Sequence, residues 1–202
     1  MRALDGLSPW INDVTLGKRM SPLRRIVAGG ARGHILEIGV GTGLNFRYYA
    51  PDAEIVGIEP SAPMRRRAVQ RAEERSGNRP IRIEDLRAKE LPFDAASFDA
   101  VVSTFVLCSV SDLAATLREL RRVLKPGGAL RLVEHVRSPQ PGVARWQDRI
   151  QPVWGALLGG CHVNRDTRDE LARAGFDVQA IDAIDLALPT IVRAGIVGVA
   201  AR

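Results

Sequence analysis

The sequence predicts an α/β fold, a mostly parallel sheet with helices on both faces. Three observations predict it. Short apolar runs alternate along the chain with helical patterns. One early run, Ile35-Leu36-Glu37-Ile38, leads into glycines at alternate positions, Gly39, Gly41 and Gly43. The next, from Ala53 to Ile58, ends in the acid Glu59, about twenty residues beyond Gly39, the offset at which an acid reaches ribose hydroxyls in doubly wound sheets.

Taken in order, Leu4, Leu7, Ile11 and Val14 recur at helical spacing with Trp10 beside them, a segment suited to covering a cleft. Strand one is Ile35 to Ile38 and strand two Ala53 to Ile58. A helix begins near Ser61. Its basic residues Arg65, Arg66, Arg67 and Arg71, set against Glu73 and Glu74, read as a solvated face. Ile81 to Glu84 is strand three and Ala100 to Phe105 strand four. Leu113, Leu117, Leu120 and Leu124 mark the inward face of a helix that Lys125-Pro126-Gly127-Gly128 stops. Ala129 to Val136 is strand five. Thr167-Arg168-Asp169-Glu170 reads as a capping box opening a short helix that Gly175 ends. Phe176 to Ile181 and Ile196 to Ala201 are the last two strands. A chain of 202 residues suits one domain, 1–202, with residues 1–30 as an N-terminal helical cap.

The glycine turn carries the chemistry. Gly39 and Gly41 accept positive φ and let a ligand approach the backbone. The chain is expected to turn next into a helix whose free N–H groups face the same space. A dinucleotide fold wants G-x-G-x-x-G, whereas Leu44 follows Gly43 and the third glycine comes one residue early. Glu37 would repel a pyrophosphate but suits a ligand carrying an ammonium and a sulfonium. S-adenosylmethionine has both and no phosphate. Glu59 has two acceptor oxygens for the ribose 2′ and 3′ hydroxyls, or is an exposed carboxylate at a strand end.

Leu36-Glu37-Ile38-Gly39-x-Gly41-Thr42-Gly43, then Gly57-Ile58-Glu59-Pro60-Ser61, Glu90-Leu91-Pro92-Phe93, Ser97-Phe98-Asp99-Ala100-Val101-Val102 and Leu124-Lys125-Pro126-Gly127-Gly128 follow in one order. In this the chain resembles a class I S-adenosylmethionine-dependent methyltransferase from about Arg32 to the end. Gly43-Leu44-Asn45-Phe46 with Tyr48-Tyr49, Val106-Leu107-Cys108-Ser109-Val110, Val133-Glu134-His135-Val136, and Gly160-Cys161 with Asn164-Arg165-Asp166-Thr167 resemble the methyltransferase-like 7 branch, whose animal members are thiol methyltransferases. The likeness extends, less closely, to bacterial quinone and phospholipid methyltransferases. It implies a Rossmann-like, seven-stranded, mostly parallel sheet with an antiparallel last strand. It also implies S-adenosyl-L-methionine as cofactor, S-adenosyl-L-homocysteine as product, and a cofactor site of Glu37, Gly39, Val40, Gly41, Thr42, Asn45, Glu59, Pro60, Met64, Arg87, Ala88, Thr104 and Phe105. One departure stands out. Many relatives place Gly-Asp-Ala before the Leu-Pro-Phe stretch, with the Asp on the adenine amino group, where this chain has Leu86-Arg87-Ala88. Arginine only donates and cannot replace that acceptor. Asp85, or backbone groups of Arg87 and Ala88, would have to serve.

The acceptor side is read from strand five onward. His135 is the candidate base, because imidazole titrates near neutrality; the alternative is a histidine bonded to a neighbouring loop. Residues 137–166 are expected to form an acceptor lid, with Trp154, Cys161 and Arg165 as candidate acceptor contacts. The tryptophans and leucines there suit an apolar acceptor or a core. Cys161 also reads as a buried small residue, and Arg165 as a partner of Asp166 or Asp169. Cys108 and Cys161 make no disulfide framework, and no Cys or His pair has zinc-finger spacing, so no metal site is read.

The net charge is +6, and Lys18, Lys89 and Lys125 are the only lysines. No Asn-Pro-Pro-Tyr type motif for a flipped base follows strand four, and the few aromatics are not interleaved with arginines, which argues against nucleic acid. No signal peptide is legible, and Pro189 and Arg193 interrupt the apolar tail from Leu186 to Ala201. The expectation is a cytoplasmic monomer or homodimer, capable of peripheral membrane contact through its amphipathic N-terminus. It methylates a small-molecule or lipid acceptor: a thiol, a quinone or a phospholipid. The competing readings are a non-catalytic cofactor-binding module and a nicotinamide oxidoreductase, the latter disfavoured by the early third glycine and Glu37.

Overall fold

A computed structural model describes residues 13, 17, 19–75 and 80–202. The helix read over Leu4 to Val14 lies outside the described residues apart from Asp13. Seven strands form one sheet in the order β3-β2-β1-β4-β5-β7-β6. They are β1 (His34–Ile38), β2 (Glu54–Ile58), β3 (Arg82–Glu84), β4 (Phe98–Thr104), β5 (Leu124–His135), β6 (Asp177–Asp185) and β7 (Ala194–Ala201). All neighbouring pairs are parallel except those made by β7, which runs antiparallel between β5 and β6. The sheet is the expected one, antiparallel last strand included.

Five α-helices are described: α1 (Ser21–Val27), α2 (Ala62–Glu73), α3 (Leu113–Val123), α4 (Pro141–Leu157) and α5 (Thr167–Arg173). The period-2 geometry of a strand divides its side chains between two faces. On one face Leu36 and Ile38 of β1, with Val56 and Ile58 of β2, pack against Leu117 and Leu120 of α3 and Leu171 of α5. On the other, Ile35, Ile55, Val102 and Val133 pack with Val27 of α1 and Ala68 of α2. Both faces are covered, which is why adjacent residues such as Ile35-Leu36 in β1 and Ala100-Val101-Val102 in β4 are apolar rather than alternating. Among the described residues no helix is long and apolar enough to cross a membrane.

Boundaries differ from the sequence reading in three places. β5 starts at Leu124 rather than Ala129, because Leu124 already pairs with Phe98 and the Lys125–Gly128 stretch is taken up as a register shift against β4. β6 and β7 are longer than expected because their pairing runs on to Asp185 and Ala194. The last short helix is capped by Asp166, whose side chain accepts from the Asp169 N–H, so Thr167 is the first helical residue. Aspartate caps at least as well as threonine, and Glu170 pairs with Arg173 at 2.6 Å.

β1, β2 and β3 progress to one edge while β4 and β5 lie on the other side of β1. The order therefore reverses between β1 and β4. Ligands of open α/β sheets bind beyond the carboxyl ends of the strands at such a point.

Candidate cofactor and acceptor site

β1 ends at the glycine turn, whose Gly39, Gly41 and Gly43 have φ of 55°, 57° and 81°. A Cβ on Gly39 would lie 2.7 Å from Val106 Cγ2, and one on Gly43 would lie 2.6 Å from the Phe46 ring. The positions exclude side chains by space as well as by conformation. No α-helix follows the turn. A single 3-10 turn, Phe46–Tyr48, fills the span to β2, closed by the Tyr48 N–H donating to the Asn45 carbonyl at 2.9 Å. The span is short, and Asn45 and Tyr49 within it are drawn inward by Glu37.

Glu37 is 1% exposed. Its carboxylate accepts from Asn45 Nδ2 and from the Tyr49 hydroxyl, both at 2.8 Å. Burial pushes its pKa up to about 7, against the lowering pull of Tyr49, Asn45 and Arg24. Burial raises Tyr49 as well, and the Glu37 charge adds to it. Arg24, from α1, is 5% exposed and donates to Asn45 Oδ1 at 2.9 Å and Thr104 Oγ1 at 3.1 Å. Burial lowers its pKa and Glu37 opposes that. Asn45 thus links a buried cation and a buried acid at the β1/β4 crevice. Each Glu37 oxygen takes one internal donor and keeps a second lone pair for a ligand.

Glu59, at the end of β2, turns back on the glycine loop. Its oxygens accept from the Gly41 N–H at 2.9 Å and the Ser61 N–H at 2.8 Å. Burial raises its pKa while those two bonds lower it. Pro60 is exposed, Met64 half-buried and Val40 buried. Thr42 is clamped from outside: its hydroxyl donates to Asp13 at 2.5 Å, and Arg71 donates to its carbonyl at 2.8 Å. Asp13 and Arg71 also pair directly at 2.5 Å. Arg71 of the basic helix α2 is therefore a part of the turn's frame rather than a solvated residue.

Asp85 does not reach inward. Its carboxylate pairs with Arg65 at 2.8 Å and is 65% exposed. Arg87 bridges Glu90, its carbonyl accepting from the Glu90 N–H at 3.2 Å, and Ala88 is buried. Phe105, just past β4, has φ 60°. A bulky residue held there costs energy and marks a position that its surroundings over-determine.

The carboxyl ends of β4 and β5 are organised by Glu134, which is fully buried. It accepts from Ser103 Oγ at 2.8 Å and from the N–H groups of Val106, Leu107 and Cys108 at 2.9, 3.0 and 3.4 Å. Burial raises its pKa against those bonds. It fixes the loop carrying Cys108 beside His135. His135 Nε2 lies 3.1 Å from Cys161 Sγ, and its buried Nδ1 has no hydrogen-bond partner. Nearby Cys108 and burial push the Cys161 thiol well above its ordinary range. The sequence reading assigned no metal ligands, yet the ligand atoms of Cys108, His135 and Cys161 all lie within 4.8 Å of one another. Trp154 of α4 packs with Val163, Ile191 and Val192. Arg165 pairs with neither of the expected acids: it donates to the carbonyls of Leu107 and Val110 at 2.5 and 3.1 Å. Trp146, Val153 and Leu157 are 51%, 63% and 54% exposed and share one stripe of α4.

Arg24, Tyr49 and Cys108 were not singled out from sequence as site residues. Their long-range partners leave no local pattern. Glu134 did leave a signal, an acid inside an apolar run, which implies a buried and bonded carboxylate.

The methyltransferase domain family model matches residues 36–132. Thiol S-methyltransferase TMT1A of Homo sapiens is 34% identical over 188 residues, covering 90% of this chain and 76% of the relative. TMT1B of Rattus norvegicus is 36% identical over 149 residues, covering 70% of this chain and 59% of its own length, so the chain spans well short of that whole relative. Phosphatidylethanolamine N-methyltransferase of Cereibacter sphaeroides is 36% identical over 152 residues, with 72% and 74% covered. Geranyl diphosphate C-methyltransferase from Streptomyces coelicolor, solved with S-adenosyl-L-homocysteine, aligns with TM-score 0.70 over 90% of this chain and 79% of that one, at 18% identity, a likeness of fold. By sheet order, glycine turn and sequence alike, the chain belongs to the S-adenosylmethionine-dependent methyltransferase family.

Proposed function

We propose that this protein transfers the methyl group of S-adenosylmethionine to a small, largely apolar acceptor, a thiol in the first place. The observation that carries the reading is the pair of acids at the turn: Glu37 for the cofactor's ammonium end and Glu59 for its ribose, with Gly39 between them bare of a Cβ. The sulfonium S–CH3 bond breaks with its electron pair returning to sulfur, and the acceptor's S–CH3 bond forms. Holding the two in line contributes on the order of 7–11 kcal/mol. A thiol of ordinary pKa is a few per cent thiolate at neutral pH and needs little help from a base. His135 serves acceptors that need one, through Nδ1, since Nε2 is engaged by Cys161. The exposed stripe of α4 supports an apolar acceptor held by residues 137–166, and peripheral membrane contact where that acceptor is a quinone or phospholipid. Trp154 lines the inner side of that segment, while Arg165 shapes it through the Leu107 and Val110 carbonyls.

The test supplies methyl-labelled S-adenosylmethionine with a short alkyl thiol, a quinol and phosphatidylethanolamine vesicles. The expected result is label in the thioether with equal S-adenosylhomocysteine. Transfer to the quinol or the lipid alone would overturn the thiol choice. Cofactor binding without transfer to any of them would favour a sensor module, the reading that Asp85's outward pairing supports.

A further inference from the structure

The cluster at the ends of β4 and β5 gathers three soft donors, none of which transfer to a thiol requires. Cys108, His135 and Cys161 come from three separate elements, and their ligand atoms lie within 4.8 Å of one another. Tetrahedral zinc, with Zn–S near 2.3 Å and Zn–N near 2.0–2.1 Å, holds neighbouring donors roughly 3.5–3.8 Å apart. Small side-chain adjustments bring the three into that arrangement. Their backbones are already fixed. Glu134 holds the Cys108 N–H at 3.4 Å, and the His162 N–H donates to the Cys108 carbonyl at 2.8 Å. The imidazole is oriented for ligation: His135 is 6% exposed and turns Nε2 to the Cys161 sulfur at 3.1 Å. Two sulfurs and one imidazole form a soft donor set, which selects zinc over magnesium or calcium.

We infer that Cys108, His135 and Cys161 form a three-ligand zinc site with a fourth coordination position left for an exogenous ligand. On loading, Zn2+ exchanges water for two thiolates and one neutral imidazole nitrogen, and the two thiol protons leave to solvent. His135 then acts as a ligand instead of a base. Cys161 is half-buried and gives the ion its way in. A small thiolate would suit the open position. That last step rests on the thiol reading above; the metal site itself does not.

The experiment strips the purified, reduced protein with chelator and titrates it with Co2+, then displaces the cobalt with Zn2+. The expected result is a sulfur-to-cobalt charge-transfer band with intense tetrahedral visible bands. They saturate at one equivalent and disappear with one equivalent of zinc. Cys161→Ser, at a half-buried position, keeps the fold by thermal melting and weakens cobalt binding about 100-fold or more. Cys108→Ser gives the same loss if it folds. Absence of the charge-transfer band in the parent protein, or bands unchanged in Cys161→Ser, overturns the site. Neither outcome depends on methyl transfer, so failure of the acceptor reading and failure of the zinc site are read separately.

Discussion

Glu37→Gln isolates the electrostatic cost of burying this carboxylate. Burial raises the folded-state pKa of Glu37 to about 7 from an ordinary value of 4.5. The native state therefore binds more protons than the unfolded chain between these values, and stability falls as pH rises through that window. A difference of that size corresponds to about 3 kcal/mol. Most of it, about 2–3 kcal/mol, is expressed between pH 5 and pH 8 by the linkage relation. Glutamine removes the titration. It also leaves one of the two donors, Asn45 Nδ2 or the Tyr49 hydroxyl, facing an NH2 group, a penalty of about 1–3 kcal/mol that does not vary with pH. Urea unfolding of ligand-free parent and variant at pH 5, 6, 7 and 8 reads the difference. The parent should lose about 2–3 kcal/mol relative to the variant across that range. Parallel profiles would refute the reasoning, because they would place the Glu37 pKa at its unfolded value.

Further outcomes follow from packing and bonding. Gly39→Ala must fit a Cβ 2.7 Å from Val106 Cγ2 at φ 55°, and should cost about 1–3 kcal/mol in chemical denaturation while weakening S-adenosylhomocysteine binding at least tenfold. Glu134→Ala strands the buried N–H groups of Val106 and Leu107 together with Ser103 Oγ, and should cost at least about 3 kcal/mol; a loss under 1 kcal/mol would mean the loop re-pairs its donors. Leu117→Ala, at a fully buried position of α3, should cost about 2–5 kcal/mol with no change in cofactor affinity per folded molecule.

The strands were legible because a sheet covered on both faces makes the middle of its central strands continuously apolar, as at Ile35-Leu36 of β1 and Ala100-Val101-Val102 of β4. Glu59 was legible because an acid ends such a strand. The Arg24–Asn45–Glu37 chain was not: its members lie on a helix, a turn and a strand, and Arg24 meets Thr104 across 80 residues. Burial of an arginine has no local pattern. His135 and Cys161 were read as a base and an acceptor contact, but their meeting with Cys108 was not legible, since a cluster is recognisable only where its members are close in sequence. The missing α-helix after Gly43 and the Asp166 cap were local misreadings. In the first, side chains pulled toward Glu37 hold a 3-10 turn; in the second, a flanking Asp capped in place of Thr167.

The central claim is that the glycine turn and its two acids bind S-adenosylmethionine. Calorimetric titration with S-adenosylhomocysteine, with NAD and Glu59→Ala as controls, tests it most directly. The expected result is micromolar one-to-one binding that Glu59→Ala removes, and no heat from NAD. Binding unchanged in Glu59→Ala, or none in the parent protein, would contradict it, and the Leu86-Arg87-Ala88 departure would then mark a pocket that has lost its cofactor.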